Sequence, residues 1–430
     1  MSKLWGSLHI GLSFFLIKFI LFLQNAFKCD IIPLGIKFRK GIDIMLLLLI
    51  IIYIVFISLG LPDSLFGVTW PVVHIDFGLH ESYASLYSIV TAVCTGGVSF
   101  ISGRLIRKFG TGKVTFFSTL LTVAGLIGIS FSPNLYVMMF FSVILGYGAG
   151  AIDTGLNNFV SLHYKAQHMN WLHCFWGIGV TVSPMIMSQF LTGETGSWRG
   201  GYRVVAAIQL VIAMLVLFTL SKWKGLEGEA SAESEEKTDK SFIEIFKIKG
   251  VLTSTISLGL YCSMEFLLGT WGATYIVNTL SLSPDTAAMW VSLYYGGIMV
   301  GRIISGFVSM KYSDKNLIRG GIVVSFLGMI ILLLPLGATS LAGLLLIGIG
   351  FGPIFPSTLH AVPERFGKEY SADITGYHMG GAYAIGFGVQ LIYGFVASAT
   401  TFKITPFVLI ALCAGLAFFS EKTIRTLKKK

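Results

Sequence analysis

Apolar residues run along this chain in twelve long blocks, at 46–73, 82–104, 113–132, 135–163, 168–192, 202–221, 250–278, 285–310, 317–336, 340–362, 371–398 and 403–420. Each is near the ~20 residues that a helix needs to cross a bilayer. Polar and charged residues collect between the blocks. The pattern predicts an all-α polytopic membrane protein of twelve spans. It also repeats inside those spans. Asp63, Gly67 and Trp70 lie in one block, and Glu265, Gly269 and Trp271 lie in another, with Glu265 placed 202 residues after Asp63. The string GYGAGAI at Gly146–Ile152 returns as GIGFGPI at Gly348–Ile354, again 202 residues on. Two related halves, each with an acid at matching depth, are the expected build of a secondary transporter.

Sorting the cations between the blocks sets the topology. One series of connections carries Arg104, Arg107, Lys108 and Lys113, then Lys165, then Lys222 to Lys249, then Lys311, Lys315 and Arg319, then Arg365 and Lys368, and finally the tail from Lys422 to Lys430. The alternate connections hold only Arg199, Arg203 and Lys403. Cytoplasmic loops carry the excess of Lys and Arg, so both termini and the central loop are expected on the cytoplasmic side of a bacterial-type plasma membrane. The formal net charge of +10 is therefore a topology signal and not a nucleic-acid surface. Charged residues make up only 12% of the chain, about half the share of a soluble globular protein, which excludes that class.

The polar stretch 222–249 divides the spans six and six and reads as a flexible linker. The expected organisation is an N-terminal extension at 1–44, a six-helix bundle at 45–221, the linker at 222–249, a second six-helix bundle at 250–421 and a basic tail at 422–430. Residues 8–27 are apolar enough to be an interfacial helix, a signal-like segment or a thirteenth span. A further reading places the start of translation at Met45, because Arg39-Lys40-Gly41 can be encoded by a purine run like a ribosome-binding site.

A carboxylate at mid-bilayer costs about 2.5–3.5 kcal/mol on insertion scales, so structure alone rarely retains one. Asp63, Asp153 and Glu265 are the acids that fall well inside blocks. The bland alternative is a buried acid paired with a bundle partner such as Arg302 or a hydroxyl. Asp153 and Asn157 are four apart and share a helix face, as do Tyr261 and Glu265. His173, Trp176 and Gly177 share a face of the fifth block, and Asp63 follows Pro62, which can kink or break a helix. Acids and amides that bond hydroxyls, beside rings that pack on a sugar's apolar face, suit a neutral polyol. An acid that is neutral in one access state and ionised in the other carries a proton, and sodium can take the same place.

Other chemistries find little support. GTGK at Gly110–Lys113 lacks the first glycine of a phosphate loop and has Val114 where a hydroxyl is needed. The glycines at 146–150 lie within an apolar span, outside the strand-to-helix turn of a dinucleotide fold. His163, His168 and His173 are five apart and do not align, and the five cysteines show no ligand spacing, so neither a metal nor an organic cofactor is expected. No catalytic constellation is visible, so an enzyme is not expected.

At this point the residues resemble the major facilitator superfamily. Ser102–Lys113, SGRLIRKFGTGK, looks like its signature loop, with Gly103, Lys108, Gly110 and Lys113 in place and Arg107 where an acid is usual. The combination of LPDSLFG at Leu61–Gly67, GAGAIDTGLNNFV at Gly148–Val160, the Tyr261–Trp271 pattern and GFGPIFPS at Gly350–Ser357 is similar to the fucose–proton and glucose–mannose symporter branch. The resemblance implies twelve helices in two pseudo-symmetric halves, proton coupling on Asp63 and Asp153, and Asn157 as a sugar-contacting amide. Asp153 is shorter than the branch's usual Glu, and His173 stands where a Gln is usual, so the pocket's reach differs. With His173, Trp176, Tyr261, Glu265 and Trp271 as further pocket residues, the expected protein is a monomeric transporter that takes up a small neutral solute, a monosaccharide, with protons. A proton-driven exporter of drugs or metabolites and a non-transporting solute sensor are the rival expectations.

Overall fold

The computed structural model describes residues 40–80, 83–191, 197–232, 242–282, 284–334 and 337–428. The expectations for residues 1–39 therefore lie outside the described residues. The compact body is Ile50–Lys430. Twelve long helices account for the apolar blocks. In the first half they are α1 (Lys40–Asp76), α2 (Tyr83–Phe109), α3 (Thr111–Phe131), α4 (Leu135–His163), α5 (Ala166–Leu191) and α6 (Trp198–Ala232). In the second they are α7 (Val251–Leu280), α8 (Pro284–Val308), α9 (Asp314–Leu332), α10 (Gly337–Phe351, continued by Ile354–His360), α11 (Ser371–Ala399) and α12 (Thr405–Lys428). Among the described residues, eleven of them contain a stretch long and apolar enough to cross a membrane. α5 carries Gln167, His168, Asn170 and His173 in its first two turns and an apolar run after them. Large apolar side chains point outward, among them Phe218 at 80% and Phe395 at 78% exposure, as a lipid-facing surface requires.

The repeated glycine string does the same work in both halves. On α4, a Cβ on Gly148 would come within 2.6 Å of the Ser118 carbonyl oxygen of α3. On α10, a Cβ on Gly350 would meet the backbone of Gly321 and Ser325 on α9. Small residues let these backbones approach closely, which is how helices pack where lipid removes the hydrophobic drive. The two copies then diverge. Pro353 stands 202 residues after Ala151. Proline lacks the N–H that continues a helix, so α10 breaks at 352–353 while α4 runs unbroken. The expected span at 340–362 is present, with a break within it.

Pro62 has the opposite outcome. It leaves α1 continuous, although a proline frees the carbonyl four residues earlier. That carbonyl belongs to Ser58, and the Gln209 side chain of α6 donates to it at 2.5 Å. A neighbouring helix thus satisfies the group that lipid could not.

The halves meet chiefly through α2 against α11 and α5 against α8, two pairings related by exchange of the halves. Their polar contacts concentrate at the end that carries the basic connections. Arg107 of α2 pairs with Asp373 of α11, and Ser371 donates to Asn158 of α4 at 2.5 Å. His360 lies 2.7 Å from Asp314 and 3.0 Å from the Tyr164 carbonyl oxygen. The signature loop belongs to this closed end. Gly103 lies against Asp373, where a Cβ would collide with backbone. Gly110, at φ +81°, makes the turn into α3 in a region that favours glycine. Lys108 and Lys113 are exposed.

Candidate functional site

A cavity of about 730 Å³ lies between the halves. α2 lines it with Tyr87 to Thr95, α7 with Cys262 to Thr270 and α11 with Met379 to Phe387, in each case away from the helix end that joins the basic connections. Asp153, His173, Arg302, Phe355 and Met379 are lining residues toward the closed ends of their helices. The cavity therefore has a floor above the sealed basic end and faces the opposite end of the bundle.

Asp63 stands on the wall of this cavity, one residue past Pro62, with its carboxylate exposed to the space. The indole N–H of Trp176 donates to it at 2.7 Å and ties α1 to α5. Close backbone packing permits that reach. A Cβ on Gly60 would collide with the Trp176 carbonyl, and one on Gly179 with the Ile57 carbonyl.

Asp153 sits deeper, on α4. The Asn157 amide donates to its Oδ1 at 2.8 Å and to its backbone oxygen at 2.9 Å. With its N–H groups so used, Asn157 turns its oxygen to His173 Nε2 at 3.1 Å, so that nitrogen carries the hydrogen. The ring of His173 makes edge contacts with Phe56 of α1 and Phe355 of the second half. Asn157 stands apart from the expected pocket. Asn157 is fully buried and is absent from the cavity lining, so it orients Asp153 and His173 from behind.

The second half presents Glu265 and Arg302. Both line the cavity, with side chains 14% and 7% exposed, and their closest approach is 3.9 Å. The pairing named as the bland alternative is present, but loosely. The Arg302 guanidinium lies 5.8 Å from the centre of the Trp176 ring. Tyr261 is fully buried with its ring against Phe351 and Phe355, behind the lining. Trp271 points away, packed against Tyr393 and Phe402, and is outside the cavity lining. The three histidines are separately employed. His163 contacts its own helix at Phe159, His168 meets Tyr53, and His173 meets Asn157.

Sequence reasoning missed the aromatic lining from Phe66, Tyr87, Phe355, Tyr383 and Phe387. Phe355 had a legible signal. It lies 202 residues after Asp153, at the equivalent point of the repeat.

The fold and this central cavity define a class, and comparison with known proteins agrees. The family model of the Major Facilitator Superfamily matches residues 52–391, and the chain belongs to that superfamily. Among characterised relatives, it is 24% identical over 314 residues to Bypass of stop codon protein 6 of Saccharomyces cerevisiae, covering 67% of this chain and 62% of that protein. It is 23% identical over 344 residues to the glucose/mannose transporter GlcP of Bacillus subtilis, covering 76% and 83%. The crystal structure of an asparagine-to-alanine variant of the E. coli fucose:proton symporter FucP superposes with a TM-score of 0.72 at 14% identity, covering 90% of this chain and 99% of that one.

Proposed function

We propose that this chain is a secondary transporter that takes up a small neutral solute, a monosaccharide, together with protons, by alternating access. The observation that carries the reading is the position of Asp63 and Asp153. Both acids face one cavity between the halves. Carboxylates held inside a membrane bundle serve ion or substrate pathways far more often than structure. Asp153, nearest the closed floor and oriented by Asn157, is the proton site. Asp63, held by Trp176, is its essential partner. Glucose and mannose transport in GlcP and fucose–proton symport in FucP support this reading by kinship.

In this reading the basic end faces the cytoplasm, both termini lie there in the plasma membrane, and the structure is the outward-facing state of a monomer. A proton moving inward with solute gains about 2.3 kcal/mol per 100 mV, roughly a fifty-fold accumulation. The aromatic rings take the apolar face of a sugar while the acids and Arg302 bond its hydroxyls.

The test is external pH in lightly buffered, de-energised cells that express the chain, as D-glucose, D-mannose, D-galactose and L-fucose are added in turn. Alkalinisation with one sugar, abolished in Asp153→Asn, is the expected result. No pH change with any sugar, with the protein present in the membrane, overturns proton symport. Sodium-dependent uptake would then reassign the ion, loss of drug resistance on deletion would favour the exporter, and binding without accumulation would favour the sensor.

A further inference from the structure

A buried carboxylate and guanidinium ordinarily close to about 2.7–2.9 Å. Glu265 Oε1 and Arg302 Nη2 stop at 3.9 Å. Arg302 is nevertheless one of the more enclosed residues of the cavity, and its Nε has no hydrogen-bond partner among the described residues. Its Nη1 reaches only the His173 carbonyl oxygen, at 3.5 Å. A fork of five donors is thus almost wholly unused where it lines the cavity.

Resting on the sugar-uptake reading, we propose that Glu265 and Arg302 form a clamp for one substrate hydroxyl, which enters between them, accepts from Arg302 and donates to Glu265. The geometry suits that group. A hydroxyl oxygen about 2.8 Å from each partner stands as the apex above a 3.9 Å base. A carboxylate offers only acceptors, so it would satisfy Arg302 and be repelled by Glu265. An ammonium offers only donors and meets the reverse conflict. A hydroxyl, by contrast with both, is donor and acceptor at once. The pair is formally neutral and therefore selects neutral polyols against sugar acids and amino sugars.

The experiment is quenching of tryptophan fluorescence in the purified full chain, titrated with D-glucose, D-mannose, D-galactose, L-fucose, the monodeoxy forms of the sugar that binds, its uronic acid and its 2-amino form. One deoxy form is expected to bind about tenfold or more weakly, since a hydrogen bond to a charged group is lost, and the charged sugars more weakly still. In Glu265→Ala the parent sugar weakens by a similar factor, and removing that same hydroxyl has no further effect. Arg302→Lys, which keeps the charge without the planar fork, weakens binding less than Arg302→Ala. Gel filtration and circular dichroism identify variants that misfold, and Glu265→Gln carries the test if the Arg302 variants do. A wild-type chain that binds no sugar sinks the uptake reading and the clamp together. Sugar binding that is indifferent to Glu265 and Arg302, or a uronic acid bound as tightly as its parent, overturns the clamp and leaves uptake standing.

Discussion

Asp63 and Glu265 occupy equivalent places in the two halves, yet their surroundings differ. Asp63 accepts a short hydrogen bond from Trp176, within its own half. Glu265 faces Arg302 across 3.9 Å. Deeper in the cavity the divergence is sharper, for Asp153 answers to Phe355, and its ring contacts the His173 that Asn157 orients. The first half thus holds two carboxylates in place with donors, as a site that must exchange a proton without losing its geometry requires. The second half holds one acid, one cation and an apolar floor, which suits a neutral guest. On the proposed function, related helices have become an ion half and a solute half.

The strongest way to break this division is exchange of charge. Asp153→Asn should abolish accumulation, taking the inside-to-outside sugar ratio from roughly fifty-fold at 100 mV to unity, while sugar exchange across de-energised membranes persists. Glu265→Gln should do the converse, raising the sugar concentration needed for half-maximal uptake while leaving concentrative uptake intact. Labelled-sugar uptake in energised and de-energised vesicles reads both. If Glu265→Gln abolishes accumulation and Asp153→Asn does not, the roles are reversed.

Packing sets the next effect. Gly148 and Gly350 perform the same task in their halves, so Gly148→Val and Gly350→Val should be comparably damaging, each by about 1–3 kcal/mol or more as for other overpacked interiors. Thermal unfolding of the detergent-purified protein checks this, and a tolerant Gly350 would show that the broken α10 relieves the strain. Asn157→Leu should cost about 1–3 kcal/mol, because it leaves Asp153 and His173 without their buried partner. It should also move the pH profile of uptake, which a merely structural residue would not do. The smallest effect belongs to the outer rim. Arg199 donates to Asp76 at 2.7 Å and holds its carboxyl below the usual range. Its contribution is present above the ordinary carboxylate pKa and is lost as pH falls through the lowered value. Asp76 is 42% exposed, so Arg199→Gln should lower stability by no more than about 1 kcal/mol, with the difference from wild type vanishing in acid.

Much of this is legible in the sequence because lipid makes errors visible. A charge inside an apolar run cannot be accidental, so Asp63, Asp153, Glu265 and the pairing option at Arg302 stand out against their apolar neighbours. The repeat is legible because glycines that permit backbone contact cannot drift. What stays hidden depends on azimuth and partner choice. Asn157 and Trp271 sit at helical spacings that suggest a pocket, but a few tens of degrees of rotation place one behind the lining and the other against Tyr393. The contacts Arg107–Asp373, Asn158–Ser371 and Tyr164–His360 join residues from opposite halves. No spacing within either half announces them, and only the docking of one bundle on the other does.

The exchange of Asp153 for Phe355 has a consequence for ancestry. Had two identical six-helix subunits once assembled face to face, every residue on the shared axis would have appeared twice. Two copies of the present first half would crowd four carboxylates into one chamber without a cation. Two copies of the second would supply duplicate guanidinium and carboxylate groups over a purely aromatic floor. Neither homodimer rebuilds the chamber seen here. Carried on one chain, each copy can lack what the other holds, and the chamber needs both.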